Sequence, residues 1–225
     1  MLIPTAAAAV LFAAPAHADE LQSRLLAGMQ AARGTAFAFQ QTIVVDTTGQ
    51  ARRTIVERYD PRRPAADRWT LVSIDGKPPS AKGIAKAREG KKKPGSYGDL
   101  ADWFGGPAHR VEAPAGYAAY RFDRLPAGEL KIGSHDASAD TQADVLVNLK
   151  GATPFVERVR FTSTKAFRMM LVASVKRIDS TSRYAPVAGI GVVPETVTMT
   201  MAGSMMGKSG ELKTNVTFGG HQPVR

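Results

Sequence analysis

From Pro194 to Phe218 apolar and polar residues alternate, and few folds can accept such a run. Val197, Met199 and Met201 fall on one side; Thr196, Thr198 and Thr200 fall on the other. A pleated strand with one buried face imposes this period of two. Leu212, Thr214, Val216 and Phe218 repeat the pattern against Glu211, Lys213, Asn215 and Thr217. The Gly- and Ser-rich stretch Gly203–Gly210 between them reads as a loop, which makes the pair a hairpin. Upstream, Val159 and Phe161 alternate with Arg158 and Arg160. Phe167, Met169, Leu171, Ala173 and Val175 then alternate with Arg168, Ser174 and Lys176, reading as one strand. Four one-sided strands in succession predict a curved antiparallel sheet whose apolar face needs cover.

The segment before this sheet supplies more strands and some helices. Asp19 to Arg33 reads as a helix: Asp19 and Glu20 suit the first turn, Leu21, Leu25, Met29 and Ala32 form a stripe widened by Leu26, and Gly34 ends it. Ala36 to Asp46 reads as a strand with Phe37, Phe39, Ile43 and Val45 on one face, interrupted by Gln41. After the turn Asp46–Gly49, Gln50 to Tyr59 returns with Ile55 and Tyr59 on one side. A loop with Pro61 and Pro64 leads to a third strand, Arg68 to Ile74, which Asp75-Gly76 breaks. Ser80 to Lys93 is helix-permissive, very basic and nearly without large apolar residues, Ile84 excepted, so a helix there would be exposed. Tyr97 to Phe104 reads as a short helix carrying Leu100, Trp103 and Phe104. The two together look like a lid over residues 80–104, or a plain crossover. Ala118 to Leu125 and Ala143 to Lys150 are further strands. No repeat or linker divides residues 19–225, so one domain is expected.

Residues 1–18 resemble a secretory signal: an apolar run from Ala6 to Ala14, then Ala16-His17-Ala18 as a small-x-small cleavage site before Asp19. No Lys or Arg precedes the run, which points to a true start upstream of Met1. Export with no Cys suits a bacterial periplasm and leaves stability to the core. The formal charge of +10 is concentrated around Arg52–Arg68 and Lys77–Lys93. Such a balance favours anionic partners, and export argues for a membrane surface or head groups over nucleic acid.

Hydrolytic chemistry needs a nucleophile with a base, paired carboxylates or a metal. His109, His135 and His221 stand apart, no His pair has metal spacing, and Gly189-Ile-Gly191 lacks the rest of a dinucleotide fingerprint. The expectation is a non-enzyme without metal or cofactor. Met169, Met170, Met199, Met201, Met205 and Met206 cluster toward the C-terminus, where adaptable side chains would suit varied acyl chains or simply fill a core.

The order of elements carries a resemblance. An amphipathic helix precedes a Phe- and Gln-rich strand, Ala36-Phe-Ala-Phe-Gln-Gln41; a Gly turn, a strand, the Arg62-Arg-Pro64 loop, the Arg68-Trp69 strand and the Asp75-Gly76 break follow. This resembles the LolA/LolB-like superfamily of periplasmic lipoprotein carriers across nearly all of residues 19–225. The resemblance implies an α+β fold: a strongly curved antiparallel β-sheet, an unclosed β-barrel, with an N-terminal helix and inserted helices covering its open side. It also implies a hollow for acyl chains. The basic 80–93 segment and the lack of a lipid-modified Cys depart from that pattern, so lipid binding as a class is what carries over.

On these grounds the chain is expected to be a monomeric periplasmic binder or carrier of a lipid or lipidated protein. The alternative is an envelope sensor or protein-interaction module on the same fold. By strand parity Phe37, Phe39, Ile43, Trp69, Leu71, Val197, Met199, Met201 and Phe218 would line an apolar cavity, with Trp103 and Phe104 capping it. Arg52, Arg68, Lys82 and Lys86 would meet the head group or an anionic membrane. Burying a methylene contributes ~0.8 kcal/mol, so ten contribute roughly 8 kcal/mol before ordering costs.

Overall fold

A computed structural model of the chain describes residues 19–89, 94–133, 135–170 and 173–224. Helix α1 (Glu20–Ala32) leads into strands β1 (Phe37–Thr47), β2 (Arg53–Tyr59) and β3 (Trp69–Ile74). Helix α2 (Ala81–Arg88) and a single turn of 3₁₀ helix (Tyr97–Leu100) running into α3 (Ala101–Phe104) follow. The remaining strands are β4 (His109–Val111), β5 (Tyr117–Phe122), β6 (Lys131–Ile132), β7 (His135–Asp136), β8 (Thr141–Asn148), β9 (Phe155–Ser163), β10 (Phe167–Met170), β11 (Ala173–Val187), β12 (Gly191–Met205) and β13 (Lys208–Pro223). One antiparallel sheet runs β3-β2-β1-β13-β12-β11-β9-β8-β5-β4, with β10 paired to β11 and β6-β7 forming a separate hairpin. β3 and β4 are its two edges, so the curved sheet is open and the fold is α+β, the form that the resemblance implies.

Register places most of the strands' apolar residues on one face of the sheet, broken by Thr214 of β13 and by Ser180 and Ser182 of β11. Phe39, Gln41, Ile43 and Val45 of β1 face the same way as Phe218, Val216 and Leu212 of β13, and then Val197, Met199 and Met201 of β12. The row continues through Ile178 of β11, Phe161 and Val159 of β9, and Val145, Val147, Tyr120 and Phe122 of β8 and β5. Helix α1 and the Tyr97–Phe104 turns cover this inner face at the β5-β8-β9 end. Leu21, Leu25 and Met29, the stripe legible in sequence, are buried there with Leu100, Trp103, Phe104, Tyr120, Phe122 and Val159. At the other end α2 lies against β3, with Gly83 beside Leu71 and Ile74.

Polar contacts fix the cover. Asp19 caps α1 through the Gln22 backbone N–H (2.8 Å), and its carboxylate also accepts from Tyr120 Oη and Arg110 Nε, each at 2.7 Å. Burial raises the Tyr120 pKa, and donation to Asp19 raises it further, so the hydroxyl stays a donor. Buried Gln22 donates from Nε2 to the carbonyls of Phe104 (2.7 Å) and Gly106 (3.0 Å), tying α1 to the end of α3. Arg33 donates to Gly98 O (3.2 Å) and pairs with Asp102. A Cβ at Gly98 would sit 2.8 Å from Arg33 N, so this close approach requires glycine.

Several expectations need correction. Gly203–Gly210 is not a loop: β12 and β13 pair to Met205↔Lys208 and turn on Met206 (φ 50°) and Gly207 (φ 77°) alone. Positive φ at both positions gives the turn whose twist matches a hairpin, so the strands reach its tip. The run from Phe167 to Val175 is two antiparallel strands, with Phe167 opposite Val175. Leu171 and Val172 lie outside the described residues, as do residues 1–18 and 90–93 of the expected signal and basic helix. β4 at the edge, and β11 beyond Lys176, were not read from sequence. Among the described residues no helix is long and apolar enough to cross a membrane.

Candidate functional site

The inner face is unevenly covered. Over β1, β13 and β12, between the two helical caps, Ile43, Val45, Val216, Val197, Met199, Met201 and Phe218 are each only half-buried. Strand parity alone puts these apolar side chains on one surface, and curvature makes that surface a trough. An aromatic cluster closes one end. The Phe39 ring lies 5.7 Å from Phe37, 5.5 Å from Tyr59, and edge-on to Trp69 (5.8 Å) and Phe218 (5.6 Å); Tyr59 and Trp69 are 5.0 Å apart. Such tilted and edge-to-face pairs add stabilisation beyond area burial. A cavity of about 80 Å³ lies between this cluster and residues 34–36 and 94–96, room for a few waters and not for an acyl chain.

His221 joins the cluster, 5.6 Å from Phe37 and 6.3 Å from Phe39. Burial lowers its pKa, partly offset by a hydrogen bond to the Pro194 backbone, and its Nε2 has no partner among the described residues. Beside the cluster the polar pair Gln41–Glu57 is buried, Gln41 Nε2 donating to Glu57 Oε2 at 2.7 Å. Gln41 and Glu57 are register partners between Phe39–Tyr59 and Ile43–Ile55. Sequence reasoning missed the pair, although each interrupts the apolar parity of its own strand at matching positions.

The structure brings together Phe37, Phe39, Ile43, Trp69, Leu71, Val197, Met199, Met201 and Phe218 on the inner face, with Phe39 and Leu71 buried. The surface is an open trough rather than the enclosed hollow expected. Trp103 and Phe104 do not cap it. Trp103 packs on Phe122 (5.0 Å) and Phe161 (5.6 Å), and Phe104, 0 % exposed, on Phe122 (5.5 Å) and Tyr120 (6.1 Å). They are core of the β5-β8-β9 end, because the short α3 follows a buried turn that α1 pins down. The expected head-group cations do not converge either. Arg68 opens β3, its Nε donating to Arg63 O at 3.3 Å, whereas Arg52 sits at the opposite end of the β1-β2 hairpin, beside Asp46 and Lys213. Lys82 and Lys86 are exposed on α2.

The outer face carries two wider, polar grooves. One, of about 520 Å³, crosses β5, β8, β9 and β11, where Arg121 pairs with Asp144 (2.6 Å) and Arg160 with Asp179. The other, of about 490 Å³, lies over β1, β2 and β13 and the loop after Tyr59. His135 stacks on Phe167 (4.1 Å, 11°) away from both. No cluster of three or more His, Asp or Glu placed to hold a metal occurs among the described residues.

No family model matches the chain, and no curated protein matches it. Among solved structures it is similar to the crystal structure of a DUF1329 family protein from Desulfovibrio piger, at 10% identity and a TM-score of 0.40, over 92% of this chain and 93% of that one.

Proposed function

We propose that the chain is an exported binder or carrier of a lipid or lipidated protein in the bacterial envelope, acting by binding and not by catalysis. The acyl chain would lie along the inner face over β1, β13 and β12. The observation that carries the reading is the half-buried row Ile43, Val197, Met199, Met201 and Phe218, on the same face of the sheet as the buried core yet left without full cover. A contiguous apolar surface of this kind marks an interaction site, and the methionines suit chains of differing shape. The trough is open, so a ligand would supply its own roof over one side, and affinity would come from methylene burial rather than polar contacts.

The test is native mass spectrometry of the full chain produced in a Gram-negative host. Adducts of lipid mass are expected, together with an N-terminus at Asp19 if residues 1–18 direct export. Met199→Arg places a charge on the trough and should abolish the adducts without lowering the melting temperature much, since Met199 is only half-buried. A bare mass for the parent chain, or unchanged adducts in Met199→Arg, would sink the reading and leave a protein-interaction module.

A further inference from the structure

We propose that the groove over β1, β2 and β13 on the outer face is a phosphate-ester site that seats the protein on an anionic phospholipid surface. It is independent of the trough, which opens on the other side of the same strands. Arg58 and Gln40 are cross-strand partners on the outer face, as are Thr42 and Thr217. Gly219, the partner of Gln40 on β13, has no side chain, and a Cβ built there meets nothing within 4 Å. The register shift between Ala38 and Gln40 falls at this point. The floor beside Arg58 is therefore open where a side chain would otherwise fill it.

The charges in the groove are unbalanced. Asp60 is its one carboxylate, and Arg62 holds it through Nε (2.8 Å) and Nη2 (3.0 Å) while the Arg62 backbone N–H also donates to it (3.1 Å). That leaves Arg58 and Arg63 lining the groove with no carboxylate within ion-pairing distance among the described residues. The backbone of Arg63 is held by Arg68, whose guanidinium adds to the same field. Thr42, Thr217, Gln40 and Gln222 supply neutral donors around the two cations. Two guanidiniums outside any ion pair, Arg63 within the field of Asp60, with surrounding hydroxyl and amide donors match the oxygens of a phosphate ester, which arginine binds in a bidentate fork. The other outer groove is a poorer candidate, because Asp144, Asp179 and Glu112 share it with its four arginines.

Cosedimentation with phosphatidylglycerol and phosphatidylcholine vesicles tests this, alongside calorimetry with soluble glycerol phosphate. The parent chain should bind phosphatidylglycerol vesicles only, and salt should weaken the binding. The double variant Arg58→Gln/Arg63→Gln should lose about tenfold in partitioning, while Arg158→Gln/Arg183→Gln in the other groove should change it less than twofold. Circular dichroism on each variant reports folding, and single variants replace a double one that unfolds. Binding of glycerol phosphate that depends on Arg58 and Arg63, without vesicle binding, would keep the phosphate site and overturn the membrane role. Equal losses in both double variants would mean diffuse charge attraction and overturn the proposal, as would no binding to either probe.

Discussion

Replacing Asp19 with Asn measures how firmly the covering helix is fastened to the sheet. Burial works against the Asp19 charge, but hydrogen bonds from Arg110, Tyr120 and the Gln22 backbone, with the Arg110 charge, outweigh it and lower the pKa from 3.8 to about 2. That fall corresponds to ~2.4 kcal/mol at about 1.4 kcal/mol per pH unit. The side chain is 38% exposed, and solvent screening reduces the contribution to about 1 kcal/mol. Asn preserves the cap, so Asp19→Asn should cost about 1 kcal/mol at pH 7. The folded-state pKa is depressed, so the stabilisation is complete above the ordinary value of 3.8 and is lost as pH falls toward about 2. Near pH 2.5 about a third of the gap should remain. Asp19→Ala loses the cap as well, a further ~1 kcal/mol that does not depend on pH. Urea unfolding followed by tryptophan fluorescence at both pH values reads these differences. A gap between Asp19→Asn and the parent as wide at pH 2.5 as at pH 7, or none at pH 7, would refute the account.

A Cβ at Gly203 would lie 2.2 Å from Ser174 O, next to the register shift between Val175 and Arg177, so Gly203→Ala must push β11 from β12. It should destabilise by about 1–3 kcal/mol in urea, and parent-like stability would contradict the register. The folded state depresses the His221 pKa below 6.5. As pH falls below that value the unfolded chain takes up the proton first, and stability declines until the folded-state value is reached. His221→Leu should flatten the pH dependence of the melting temperature below about 6.5; an unaltered profile would count against a half-buried ring held neutral by desolvation.

Periodicity carried a long way in this chain. The stripe Leu21, Leu25, Met29 and the parity of Phe39, Ile43, Val197, Met199, Met201 and Phe218 were legible because burial on one face of a helix or strand repeats at a fixed interval, and the sheet keeps those residues on one surface. Glycine was harder to read. Gly203 resembles loop chemistry in a linear scan, yet it sits inside a strand where a neighbouring backbone leaves no room for a Cβ.

Local pattern therefore established which residues turn inward, and with them the antiparallel sheet, whereas its open edges at β3 and β4 belong to the strand order of the tertiary structure. Whether an inward residue meets core or trough depended on where α1 and the Tyr97–Phe104 turns land. That landing rests on Asp19, Gln22 and Arg33 contacts spanning 65 to 101 positions of chain. Trp103 and Phe104 became core, and Met199 stayed half-open, because the cover is fixed by such distant hydrogen bonds. The pairing of Arg62 with Asp60, which leaves Arg58 and Arg63 outside any ion pair among the described residues, is likewise settled by loop geometry that no periodicity encodes.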